Sequence, residues 1–304
     1  MRLIKCFFIY LILLNTTLFC NNDSKLQSVQ KYYSFACDAF EKYNWSKVIE
    51  YCNVIIKNYP DSAFVKESLF YLGVAYFNLK EYEASNRYFT RYLKDDYNPK
   101  FFEETMYYKF SIAENFQKGT KKRLFGCNSG PKILDAKEDA LVLFDEIIAS
   151  MPMHDLAAKS LFAKGKILFA LEEYKDSISV FEQLIEKFEK HELTAQSFIE
   201  IGKVYLKQTT YKKQDPDILD LAQLNLKKFE EKFSEEREKL KELRDIILQI
   251  KEKFALGFLE IAEFYEKTNK KDAALIYYSK IINSFSETKS SEKAKKKFDK
   301  LNES

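Results

Sequence analysis

One position recurs along this chain and does more than any other to limit its fold. Of the seven glycines, three fall at one place in a repeating pattern: Gly73, Gly165 and Gly202. Leu72 precedes Gly73, and a tyrosine follows three residues after Gly73 and Gly202, at Tyr76 and Tyr205. In "FYLGVAYFNLKEYEASNRYFTRYL" the unit continues with a small residue at Ala84 and an aromatic at Phe89, a turn about one residue short of the expected spacing. "FAKGKILFALEEYKDSISVFEQLIEKF" repeats the arrangement with Gly165, Tyr174 in the turn, Ser177 and Phe181. A small residue at a fixed point of a helical period lets two backbones approach closely. With only 7 Gly and 5 Pro in 304 residues, the rest of the sequence offers few turns, and its Lys, Glu and Leu content favours helix.

The pattern is that of the tetratricopeptide repeat: Leu-Gly, then Tyr on a first helix, then a small residue and an aromatic on a second. Further units carry Ala36, Trp45, Val48, Cys52 and Pro60, and Ala262, Tyr265, Ala274 and Tyr278. The fold class expected is all-α, a tetratricopeptide-repeat right-handed superhelix of about five to six helix pairs without sheet. Such units stack because none buries its apolar face alone. Two units are stretched. In the third, an exposed loop with five basic residues, Gln117 to Asp135, separates 105–116 from a second helix carrying Ala140 and Phe144. In the fifth, 207–217 leads to a second helix with Ala222, Leu226, Phe229 and Phe233, capped by Asp215 or Asp217 around Pro216. An additional amphipathic helix follows at Leu240, Leu243, Ile247, Ile250 and Phe254. The expected division is a signal segment 1–20, a linker 21–28, N-terminal repeats 29–154, C-terminal repeats 155–301 and a tail 302–304.

The first twenty residues have the layout of a secretory signal. Arg2 and Lys5 precede an apolar run from Cys6 to Leu14, and Cys20 closes it. Cys20 is the candidate lipidated residue of a bacterial lipoprotein, although Phe19 stands where such signals have a small residue; ordinary cleavage and an uncleaved anchor stay open. Cys37, Cys52 and Cys127 form no CxxC and read mainly as small apolar residues, with a Cys37–Cys52 bridge left open.

Chemistry is hard to find. His154 and His191 are the only histidines and belong to no HExxH or metal-spaced cluster. No glycine-rich phosphate loop or nucleophile elbow is present. Neither an enzyme nor a cofactor is expected. A net charge of +3 gives no bulk attraction to nucleic acid. Lysines cluster in the loop, at Lys118, Lys121 and Lys122 with Arg123, and at Lys293, Lys295, Lys296, Lys297 and Lys300.

The stretch "LRDIILQIKEKFALGFLEIAEFYEKTNKKDAALIYYSKIINSFSETKSSEKA" resembles the last helices of the BamD/YfiO family, tetratricopeptide lipoproteins of the outer-membrane protein assembly machine. The matching positions are Leu243, Arg244, Asp245, Phe264 to Lys267, Ala273, Ala274 and Phe285 to Thr288, with Ser286 in place of a proline. The resemblance spans roughly residues 29 to 301 and implies no catalysis. It implies the periplasmic face of the outer membrane, a lipid anchor, docking on the periplasmic POTRA domains of the barrel assembly protein, and contact with unfolded outer-membrane proteins. In the family the C-terminal repeats face the barrel protein, which puts Arg244, Tyr265, Lys293 and Lys296 forward as docking residues. A cytosolic repeat chaperone or scaffold of a secretion system, and a repeat protein of the envelope division machinery, are the alternatives. In a tetratricopeptide array the first helix of each unit lines the concave groove. Positions three before and four after the small residue face it. Tyr33, Phe40, Phe70, Phe77, Tyr108, Phe162 and Phe169 are therefore the candidate peptide groove.

Overall fold

Among the described residues four non-glycine positions adopt positive φ: Tyr43 (54°), Lys80 (59°), Glu172 (63°) and Asn269 (56°). Each lies seven residues after a predicted frame residue, Ala36, Gly73, Gly165 or Ala262. Each closes a first helix with the same pair of backbone bonds, the next amide reaching five residues back; Glu81 N donates to Tyr76 O at 2.9 Å and Glu173 N to Leu168 O at 2.9 Å. This is the Schellman ending, in which one left-handed residue satisfies carbonyls the helix leaves unpaired. Gly119 (φ 98°) makes the fifth instance, with Thr120 N on Asn115 O at 3.0 Å. It sets the frame residue of the third unit at Ile112, fully buried.

The computed structural model describes residues 26–94, 98–123, 130–211 and 215–303. The signal segment, Cys20 and Cys127 lie outside them. The order is α1 (26–41), α2 (Trp45–Asn58), α3 (Phe64–Asn78), α4 (Tyr82–Leu93), α5 (Phe102–Gln117), β1 (Lys122–Arg123), β2 (Lys132–Leu134), α6 (Lys137–Ser150), α7 (Asp155–Ala170), α8 (Tyr174–Lys187), α9 (Glu192–Gln208), α10 (Pro216–Lys232), α11 (Arg237–Lys267), α12 (Lys271–Ser284) and α13 (Lys289–Glu303). The fold is all-α apart from one short ribbon. The chain divides into two compact units, through Leu143 and from Phe144, with α6 spanning the boundary. Ala140 and Phe144 are fully buried, as their frame predicts.

The glycine positions do what the repeat requires. A Cβ on Gly73 would lie 2.4 Å from the Phe89 ring, and one on Gly165 2.7 Å from Phe181. The small residue of the second unit is Ser85, not Ala84. It lies twelve after Gly73, as Ser177 does after Gly165, so the turn is not short. Both serines are fully buried, and their hydroxyls donate to Gly73 O at 2.8 Å and Gly165 O at 2.9 Å. A buried hydroxyl needs such a partner, and here the bond pins the second helix of the pair to the first.

Two expectations are corrected. Gln117–Asp135 is not a free loop. It contains the antiparallel ribbon β1–β2, so the expected absence of sheet does not hold. Arg123 donates to Glu81 (2.7 Å) and to Gly130 O (2.8 Å), its amide reaches Glu83 (2.8 Å), Lys132 meets Glu81 at 3.2 Å, and Lys122 pairs with Asp139. Burial works against the Glu81 carboxylate, but bonds from Arg123 and Lys132 hold it below the usual range. The second correction is α11. The amphipathic segment from Leu240 and the first helix of the last unit are one helix of 31 residues. Neither Pro nor a capping side chain interrupts it, and Gly257 is accommodated inside.

The fifth unit departs further. Asp215 does cap α10, accepting from Asp217 N at 3.1 Å with Pro216 in the first turn. Yet over Gly202 the neighbour is Leu243 of α11, whose Cδ1 would lie 2.8 Å from an added Cβ. The N-terminal half of α11 therefore occupies the second-helix position, and α10 is an extra helix, burying Ala222, Asn225 and Phe229.

Candidate functional site

The site of greatest interest lies in the N-terminal unit, on the first helices α1, α3 and α5. The Tyr33 ring stacks on Phe64 at 4.5 Å, and its hydroxyl donates to Glu67. Burial and that carboxylate push the Tyr33 hydroxyl above its ordinary range. Tyr71 continues the row, 6.1 Å from Tyr33, 5.0 Å from Phe40 and 6.4 Å from Phe101. Phe40 meets Trp45 edge-on at 5.6 Å. Lys100 spans Glu67 at 3.1 Å and the Phe101 ring at 4.7 Å. Aromatic rings at these separations pack favourably on one another.

At the C-terminal end of α3, Phe77 meets Tyr108 edge-on at 5.0 Å and Tyr82 at 5.5 Å. A cleft of about 250 Å³ opens there, lined by Phe77, Glu104, Tyr107, Tyr108 and Ser111. Tyr107 is 43% exposed, a large apolar residue the groove reading did not name.

Not every predicted residue lines this face. Phe70 is only 6% exposed and stacks on Phe101 at 4.3 Å, so it is a core ring. Its position was read correctly, but Phe101 from the turn before α5 covers it. Tyr108 falls one residue before the groove position, because Gly119 places the frame at Ile112; its ring stacks on Phe89 at 5.3 Å. The groove position belongs to Lys109, which is fully buried and donates to Asn86 (2.8 Å) and Thr90 (2.9 Å). In the C-terminal unit, Phe162 meets Phe181 at 5.7 Å and packs on the core, and Phe169 lies 6.2 Å from Tyr174.

Among the docking candidates, Arg244 is committed to Glu230 through two bonds, 3.1 and 2.7 Å. Tyr265 stacks on Tyr277 at 5.7 Å, beside the exposed Phe264 and Ile261. Lys293 and Lys296 are exposed on α13, whereas Lys297 pairs with Glu263 and Glu266. Both histidines are helix caps. Nδ1 of His154 accepts from Leu156 N and Nδ1 of His191 from Leu193 N, each at 3.1 Å, and Ser62 holds the equivalent place ahead of α3. Cys37 and Cys52 are free thiols; burial pushes the Cys52 thiol up to about 12. Among the described residues no cluster of His, Cys, Asp or Glu could hold a metal, and no helix is long and apolar enough to cross a membrane.

A tetratricopeptide-repeat family profile matches residues 67–96, the α3–α4 hairpin. No curated protein matches the sequence. Among solved structures the chain is similar to the MamA protein at 17% identity, with TM-score 0.41 over 69% of this chain and 94% of that one. It is similar to a tetratricopeptide repeat protein from Parabacteroides merdae at 12% identity, with TM-score 0.40 over 91% and 100%. A third is a thermophilic repeat protein of Thermus thermophilus, at 12% identity and TM-score 0.35 over 72% and 99%. The hairpin that matches the profile is the one whose Phe77 opens the cleft, and repeats of this kind are scaffolds for protein–protein interaction.

Proposed function

We propose that the chain is a non-enzymatic component of an outer-membrane protein assembly machinery. Its N-terminal unit holds unfolded outer-membrane strands, and its C-terminal unit docks on the POTRA domains of the barrel protein. Cys20 anchors it by lipid at the periplasmic face of the outer membrane. The observation that carries the reading is the aromatic face formed by Tyr33, Phe40 and Tyr71 with Phe101, together with the open cleft at Phe77 and Tyr107. Outer-membrane strands alternate apolar and polar residues and carry aromatic girdles. Laid along such a face in extended form, a strand buries every second side chain against its rings. The C-terminal resemblance at Leu243–Asp245 and Phe264–Lys267 supports the docking half, with Tyr265 and the exposed Phe264 as its apolar contact.

The test is titration of a labelled peptide from the C-terminal strand of an outer-membrane protein against wild type and Phe77→Ala/Tyr107→Ala. Loss of a groove anchor weakens binding by about 2 kcal/mol or more, with helix content unchanged. Equal affinity for both proteins refutes the groove assignment. In a Gram-negative host, Cys20→Ser is expected to move the protein from the membrane to the soluble periplasmic fraction.

A further inference from the structure

The displacement of α10 leaves a second opening, in the C-terminal unit. There α8, α9 and α10 enclose a slot of about 260 Å³. Phe198, Ile201 and Tyr205 of α9 form its floor, with Ile185 of α8 beside them, all buried. Leu221 and Leu224 of α10 stand at the mouth, each 46% exposed. The two rims carry opposite charge. Glu182 and Glu186, one turn apart, line the α8 rim; Lys228 and Lys232, one turn apart, line the α10 rim. Among the described residues no ion pair joins Glu182 or Glu186 to Lys228 or Lys232; Lys232 pairs with Glu189, just beyond the end of α8, at 3.1 Å. Glu182 also acts on the floor: after burial, its charge is what raises the Tyr205 hydroxyl.

We propose that an amphipathic helix of a partner protein lies across the mouth of this slot, its apolar stripe on Leu221 and Leu224 with an anchor side chain reaching in toward the α9 floor, basic residues against Glu182 and Glu186, and acidic residues against Lys228 and Lys232. The charges on each rim repeat at the i, i+4 spacing at which side chains line up along a helix, so one partner helix can meet both rows in register. The geometry explains why the rims stay apart: α11 took the place over Gly202 that would otherwise draw α10 in.

The probes are three labelled, helix-stabilised peptides of roughly 18 residues, long enough to hold helix with one Leu stripe. One carries Lys on one flank and Glu on the other; the second has Lys on both; the third has Glu on both. The full chain is expected to bind the mixed peptide about tenfold tighter than either uniform one. Glu182→Lys/Glu186→Lys, which makes both rims basic, should switch the preference to the all-Glu peptide. Leu221→Ser/Leu224→Ser, at exposed positions, should weaken the mixed peptide with thermal stability unchanged, whereas Phe77→Ala/Tyr107→Ala should leave it alone. Equal affinity for the three peptides, or a preference unmoved by charge reversal, overturns the proposal. So does sedimentation showing a dimer that Leu221→Ser/Leu224→Ser dissolves, which would give the slot to a second copy of the chain.

Discussion

The α7–α8 hairpin and the α9–α11 segment begin alike and end differently. Each starts with a histidine cap and carries a glycine eleven residues later, Gly165 or Gly202. In α7 the helix closes on Glu172 in the left-handed region, the chain turns at once, and Phe181 of α8 covers the glycine. In α9 the equivalent residue, Thr209, is extended (φ −73°, ψ 123°). No left-handed residue closes the helix. Instead Nζ of Lys253, from α11, donates to Leu206 O at 2.9 Å and Thr209 O at 3.0 Å, and Leu243 covers the glycine. Burial, then the nearby Lys207, lowers this lysine from its usual range, which marks how far it is drawn out of water. The close approach at the glycine is thus a requirement of the first helix, met by whichever helix follows. The local turn decides which one that is.

The largest expected effect separates the two glycines. Gly165→Ala drives a Cβ into a ring face that cannot swing aside, with ring atoms at 2.7, 2.7 and 3.0 Å, and should lower stability by about 1–3 kcal/mol in urea denaturation. At Gly202 the atom in the way is the end of the Leu243 side chain, which can rotate. There the helix propensity gained, about 1 kcal/mol, offsets the contact, and Gly202→Ala should be neutral or mildly stabilising. Equal losses at both sites would mean that α11 is held as rigidly as α8. Next comes Lys253→Met, which keeps the stem but removes both bonds to the α9 carbonyls. A loss of about 1–2 kcal/mol is expected, with faster amide exchange at the end of α9. No change there would show that water closes the helix equally well. The smallest effect is at the turn. Glu172→Gly relieves a left-handed side-chain residue and should raise stability by up to about 1 kcal/mol, whereas Thr209→Gly should lower it, since its backbone is extended.

Much of this was legible because close packing leaves a residue-level trace. Small residues at Ala36, Gly73, Gly165, Gly202 and Ala262 marked every first helix but that of the third unit, and Phe89, Phe181 and Tyr278 marked their covers. What was missed lacks such a trace. A lysine can snorkel or cap, and nothing in the letters of Lys109 or Lys253 says that its amine is aimed inward at hydroxyls and carbonyls. The basic run at 118–123 looked like a solvated loop because its acids, Glu81 and Asp139, are distant in sequence or on another element. The groove was read from period alone, which places Phe70 outward. Only the fold shows that Phe101 lies over it and that Tyr107 is the exposed tyrosine of the cleft.

The 31 residues of α11 serve two repeats, the first half covering Gly202 and the second half carrying Ala262 against α12. Repeat arrays ordinarily come apart as a row of weakly coupled links, each able to open at its own turn. Here the last two links share one rod, and there is no turn between them at which to part. Opening α12 and α13 exposes one side of a helix whose other end is still clamped on α9, while releasing α9 strips the support from both. The end of the chain should therefore behave as a single latch, opening all at once or not at all, whereas fraying starts at hairpins with separate turns.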